Sequence, residues 1–251
     1  MIAAIALTAA ALFTGSGVAP ARLALSVSPA HVTLDAGGKA TVRVRGTGGR
    51  RLVLRATVAG LALDTRGRPR IARLRDAGPW LTVRPQTISA GRDGATFVVT
   101  SRRPARARPG DHSAIVLVTA TVARSKTAIA VEMRVGLVVT VRVAGRRIRR
   151  VEVIAAHVRR LPGKRDRLVL LTVANRGDVI ESIGGAQLEI TLLRHGRTVA
   201  RLRLPRRKLL PRTSAVVKFR WPAHIRQGLV VQIAVARPGG GTTTRAFRLK
   251  L

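Results

Sequence analysis

Trp80-Leu81-Thr82-Val83-Arg84-Pro85 alternates apolar and polar residues and stops at a proline, the pattern of a half-buried strand with a side-chain period of two. Ile88-Ser89-Ala90-Gly91-Arg92-Asp93-Gly94 then supplies turn residues, and Ala95-Thr96-Phe97-Val98-Val99-Thr100 is the next strand. Arg108-Pro109-Gly110-Asp111 makes a second turn, out of which His112-Ser113-Ala114-Ile115-Val116-Leu117-Val118 leads as a buried strand. Short strands separated by Gly and Pro turns in this way belong to an antiparallel sandwich. Trp80 is expected to be its buried packing anchor.

The pattern continues on both sides. Upstream, Leu25-Ser26-Val27-Ser28-Pro29 and Val32-Thr33-Leu34 precede Thr41-Val42-Arg43-Val44-Arg45, in which Val42 and Val44 should face a core and Arg43 and Arg45 water. Leu52 to Val58 is a further strand, and Asp64 to Asp76 reads as a long basic connection. Downstream, Thr127 to Val143 reads as one long strand bent at Gly136. A boundary is expected at Ala144-Gly145. Beyond it Arg167 to Ala174 runs into an Asn175-Arg176-Gly177-Asp178 turn, and Leu188 to Leu192 forms a hairpin with Val199 to Leu204 around His195-Gly196-Arg197. Ala215 to Trp221, Gln227 to Ala236 and Arg245 to Leu249 complete the series. At 251 residues the chain has room for two such domains, each of about 110 residues.

The amino terminus differs. Ile2 to Phe13 is apolar, the first 21 residues carry no charge, and Ala19-Pro20-Ala21 offers small residues at the positions a signal peptidase reads. Residues 1–21 are therefore expected to be a signal peptide cut before Arg22, and the protein to be exported to the envelope, periplasm or exterior. Cysteine is absent, which removes disulfides and thiolate metal sites.

No catalytic constellation is present in the sequence. His31, His112, His157, His195 and His224 lie in separate segments without metal-ligand spacing. Glu132, Glu152 and Glu189 sit inside strands beside arginines, and neither Ser113 nor Ser214 lies in a Gly-x-Ser-x-Gly elbow. The expectation is a protein with no catalytic residues, no metal and no cofactor.

The order of Trp80, Pro85, the glycine turn at Gly91 to Gly94 and the Pro109-Gly110-Asp111-His112 turn resembles the amino-terminal immunoglobulin-like domain of bacterial WxL-interacting proteins. More distantly it is similar to periplasmic pilus-assembly chaperones. The Asn175-Arg176-Gly177 turn resembles the second domain of the WxL-interacting family. What this implies is an all-β chain of two tandem immunoglobulin-like antiparallel β-sandwiches, residues 22–144 and 145–251, following the signal segment 1–21. It departs from that family in its charge.

Lys and Arg number 47 against 11 acids, for a formal net charge of +36, and only six of the basic residues are lysine. Such a surface draws polyanions, and arginine grips phosphate and carboxylate with paired hydrogen bonds. Arg201, Arg203, Arg206, Arg207, Lys208 and Arg212 form the densest basic run of the second domain and are the expected polyanion-binding residues. Arg66, Arg68, Arg70, Arg73 and Arg75 are the counterpart in the first. Nucleic acid is disfavoured, because aromatics are 2% of the chain and single-strand binders stack bases on aromatic rings. The leading reading is a noncatalytic envelope scaffold or adhesin that binds a partner protein and an anionic cell-wall polymer. A chaperone-like protein that adds a strand to a secreted subunit is the alternative, and an envelope hydrolase is the third.

Overall fold

The computed structural model describes residues 24–46, 52–64, 67–91, 93–102, 104–122, 131–160, 167–184, 188–203, 206–220, 229–236 and 242–249. The expected signal segment lies outside them. The first ten strands are β1 (Leu25–Ser28), β2 (His31–Asp35), β3 (Lys39–Gly46), β4 (Leu52–Leu63), β5 (Pro69–Ala72), β6 (Leu81–Arg84), β7 (Thr87–Ala90), β8 (Ala95–Ser101), β9 (Gly110–Val122) and β10 (Val131–Val143). They build one sheet ordered β1-β3-β8-β6 and another ordered β2-β10-β9-β4-β5, with β7 also on β4. These pairings are antiparallel except that β2 runs parallel to β10.

The core follows from the alternation. In β8, Ala95, Phe97, Val99 and Ser101 are buried while Thr96, Val98 and Thr100 are exposed. Val42 and Val44 of β3 meet them from the neighbouring strand, and Leu54, Leu137, Val139 and Val141 close the same cluster from the second sheet. With few aromatics, Val, Leu and Ala fill the space around Phe97, each buried Val or Leu contributing about 1.5–3 kcal/mol.

The remaining strands are β11 (Val151–Arg160), β12 (Arg167–Asn175), β13 (Glu181–Ile183), β14 (Leu188–Arg194), β15 (Arg197–Arg203), β16 (Arg207–Leu209), β17 (Ser214–Arg220), β18 (Leu229–Ala236) and β19 (Thr242–Leu249). They form sheets ordered β11-β12-β17, β13-β16 and β15-β14-β18-β19 around a separate apolar cluster that includes Leu171, Ile190, Leu209 and Ile233. The chain is thus all-β, with two sandwich cores in tandem. His195 and Gly196, at φ 49° and 77°, make the expected hairpin turn between β14 and β15, a tight connection that needs positive φ.

Several expectations are revised in detail. Trp80 ends a short 3₁₀ turn, Gly78–Trp80, and β6 starts only at Leu81. Its ring is half-buried against the core and rests on His112 with centroids 4.5 Å apart, rather than sitting deep inside. The basic connection from Asp64 contains β5, which pairs with the end of β4, and the turn after Pro85 contains β7. The register of β10 on β9 passes through Gly136 without a bulge. A Cβ there would lie 2.7 Å from Ile115 Cδ1, so this glycine makes room for a neighbour.

Candidate partner edge and interdomain joint

Strand β10 is covered unevenly. Along its whole length it pairs with β9, but β2 covers only Val138 to Arg142 on the other side. Among the described residues no strand pairs with that second edge from Val131 to Leu137. Met133 and Val135, half-buried against the core, continue the row of Leu137, Val139 and Val141 towards this end. Glu132 and Arg134 point to the opposite, solvent face and pair with each other. Among the described residues this is an edge without a strand partner, with an apolar row on one face.

The far end of β10 leads into the joint between the sandwiches. Asp111, whose side chain is 4% exposed, accepts from Arg142 Nε at 3.0 Å and from the Ile180 backbone N–H at 2.9 Å. Its own backbone N–H donates to the Asp178 carbonyl at 2.8 Å. Asp178 accepts the Ile148 N–H on its carboxylate at 2.7 Å, and Arg149 forms a bidentate pair with buried Glu181 at 2.8 and 2.9 Å. That pair holds the Arg149 guanidinium protonated above its ordinary range. Gly110, at φ 129°, admits this contact because a Cβ would lie 2.4 Å from the Asp178 oxygen.

Two histidines flank the joint in opposite electrostatic settings. His112 Nδ1 lies 2.6 Å from Asp76 Oδ1, and Nε2 lies 2.9 Å from the Arg108 carbonyl. Both partners only accept, so the imidazolium is the form that satisfies both. The bond to Asp76 is the main cause that raises this histidine above its ordinary range, and burial opposes it. His31 faces Lys208 of the second sandwich, Nδ1 to Nζ at 3.4 Å, and Thr140 Oγ1 at 3.1 Å through Nε2. Burial first, and the Lys208 charge second, lower its pKa and favour the neutral ring.

Between the two sandwiches lies a cavity of about 190 Å³ whose walls include Leu61, Asp76, Arg108, His112, Ser113 and Arg212. Of the six expected polyanion-binding residues, only Arg212 is in this lining. Arg201 is exposed on β15 and lies 3.7 Å from Glu189, whereas Arg203 ends that strand with its side chain outside the described set. Arg206 is exposed, Arg207 is half-buried on β16, Lys208 faces His31, and Arg212 lines the cavity. Sequence reading missed the roles of Asp76, Asp111 and Asp178; the Pro109-Gly110-Asp111-His112 turn was the available signal. Among the described residues no group of three or more His, Cys, Asp or Glu is placed to hold a metal.

No family model matches the sequence, and no curated protein is significantly similar to it. Solved structures are similar in fold. A chain of a chaperone–tip adhesin complex of CFA/I fimbriae biogenesis is 12% identical, with a TM-score of 0.52 over 89% of this chain and 98% of that one. A class 5 fimbriae chaperone is 14% identical, covering 91% of this chain and 100% of that one, at a TM-score of 0.48. A chain of a chaperone–tip adhesion subunit pre-assembly complex from archaic chaperone-usher pili of Acinetobacter baumannii is 12% identical, covering 90% and 98%, at 0.45. At 12% identity the first of these likenesses shows the fold alone, and nothing in the comparisons supports the WxL-interacting resemblance.

Proposed function

We propose that this chain is a noncatalytic, chaperone-like protein of the cell envelope that holds a secreted β-rich subunit by strand addition. The observation that carries this reading is the edge of β10 from Val131 to Leu137, without a strand partner among the described residues, where Met133 and Val135 extend the core row beyond the cover of β2. A partner strand placed there gains main-chain hydrogen bonds, and the apolar row gives it a seat and a register. Likeness in fold to a chain of a chaperone–tip adhesin complex supports it. The wall-polymer scaffold draws no such support.

On this reading the two sandwiches are residues 22–144 and 145–251, joined near Ala144-Gly145. Export follows from the residue 1–21 segment, and amino-terminal sequencing of the mature protein should begin at Arg22. Recovery of the intact chain from cytosol would contradict export.

The strand-addition test uses the complex as purified from the native envelope. Amide hydrogen exchange from Met133 to Leu137 should slow in the complex relative to the free chain, and M133K/V135K should lose the subunit while retaining its circular dichroism spectrum. A complex in which these amides exchange as in the free chain, and which the double variant still forms, rules the edge out.

A further inference from the structure

Beyond strand addition, we propose that the interdomain cavity binds a tetrahedral oxyanion of the phosphate class, gripped between Arg108 of the first sandwich and Arg212 of the second. Both arginines line the cavity from opposite domains. Among the described residues neither guanidinium has a hydrogen-bond or ion-pair partner. The acids of the wall are already occupied. Asp76 accepts from His112 and the Ser113 N–H, Asp111 from Arg142 and the Ile180 N–H, and Asp178 from the Ile148 N–H. Asp76 and Asp111 thus have cationic or histidine partners, and only Asp178 keeps an uncompensated charge against the two exposed arginines, which leaves the wall net positive. A carboxylate presents its acceptors in one plane, whereas a tetrahedral anion presents oxygens in several directions, which suits two forks that reach it from opposite walls.

Backbone strain marks the same place. Three non-glycine residues among those described have positive φ, namely Asp76 (56°), Arg212 (56°) and His195 (49°), and the first two line this cavity. Left-handed backbone at a side-chain-bearing residue is costly and collects at functional sites. Arg212 follows Pro211 at a turn position that glycine would occupy without strain, yet an arginine is held there. Ser113, 4% exposed, is also in the wall, and its hydroxyl has no partner. At about 190 Å³ the cavity is smaller than the ~300–1,000 Å³ of sites for drug-sized ligands, which suits an ion or a single phosphate group.

The thermal midpoint of the full chain is measured while phosphate replaces chloride at fixed ionic strength. A saturable rise is expected in the parent. R212G, freed of its strained backbone, should melt no lower than the parent in chloride and lose the phosphate shift, as should R108S. R43S, which removes an exposed charge on β3 away from the cavity, should keep it. Dimethyl phosphate is titrated separately: protection by inorganic phosphate alone assigns a free anion, and protection by both assigns a phosphodiester. The proposal fails if phosphate shifts the midpoint no more than chloride, or if R43S lowers the response as much as R212G, since attraction to the overall +36 charge then explains the effect.

Discussion

His112 and His31 illustrate how much a single ring depends on what faces it. His112 donates from both nitrogens to acceptors, so its folded-state pKa lies above the unfolded value, whereas His31 is held neutral and its value lies below. The unfolded reference for both is about 6.5. A raised histidine contributes stability that is complete below that reference and is lost as pH rises through its folded value. A lowered one contributes stability that is complete above the reference and is lost as pH falls towards its folded value. The two opposed contributions predict a stability maximum that brackets about pH 6.5, with H112Q flattening the alkaline side and H31Q the acid side. Midpoints that decline identically on both sides in the parent and both variants would show that neither ring is coupled to folding. None of this was legible in the sequence, where His31 and His112 were two of five scattered histidines. Their settings are made by Lys208 and Asp76, which lie far away along the chain.

At the scale of elements, alternation made most long strands readable, because β3, β8 and β12 each bury every second residue or nearly so. What it missed has physical reasons. Strand β11 carries a register shift between Val153 and Ala155, which breaks the period of two, and β5, β13 and β16 have only four, three and three residues. The Asn175 turn was legible, and the structure shows what it holds together. Asn175, fully buried, accepts the Gly177 N–H at 2.9 Å and donates to the carbonyls of Val179 at 2.7 Å and Leu209 at 3.2 Å. It thereby ties the end of β12 to the approach to β13 and to β16. Asn175→Ala leaves these buried backbone groups unpaired, and at about 1–3 kcal/mol for an orphaned buried group it should cost roughly 2–4 kcal/mol in urea unfolding. A loss below about 0.5 kcal/mol, the usual range for surface changes, would mean that water replaces the side chain.

For the whole molecule, the basic residues that dominate the composition stand in several different settings. Of the six basic residues expected to act together, Arg201 lies near Glu189, Lys208 faces the first sandwich, and Arg212 lines the cavity between the two. Sequence order could not show this, because strand pairing separates β15 from β16 into different sheets. A net charge of +36 nevertheless repels itself throughout the compact state, and folding works against that repulsion. Salt shortens the screening length from about 10 Å at 0.1 M to about 3 Å at 1 M, so added salt should weaken the repulsion between neighbouring surface arginines. The same salt also weakens exposed pairs such as Arg134–Glu132 and Arg201–Glu189, but each contributes only about 0–1 kcal/mol, and acids are outnumbered 47 to 11. Repulsion therefore wins, and the thermal midpoint should rise steadily with sodium chloride between about 0.05 and 0.5 M, a range over which the screening length falls roughly threefold. A midpoint that stays flat or falls would show that the ion pairs at the joint, including Arg142–Asp111 and Arg149–Glu181, outweigh the surface charge in setting stability.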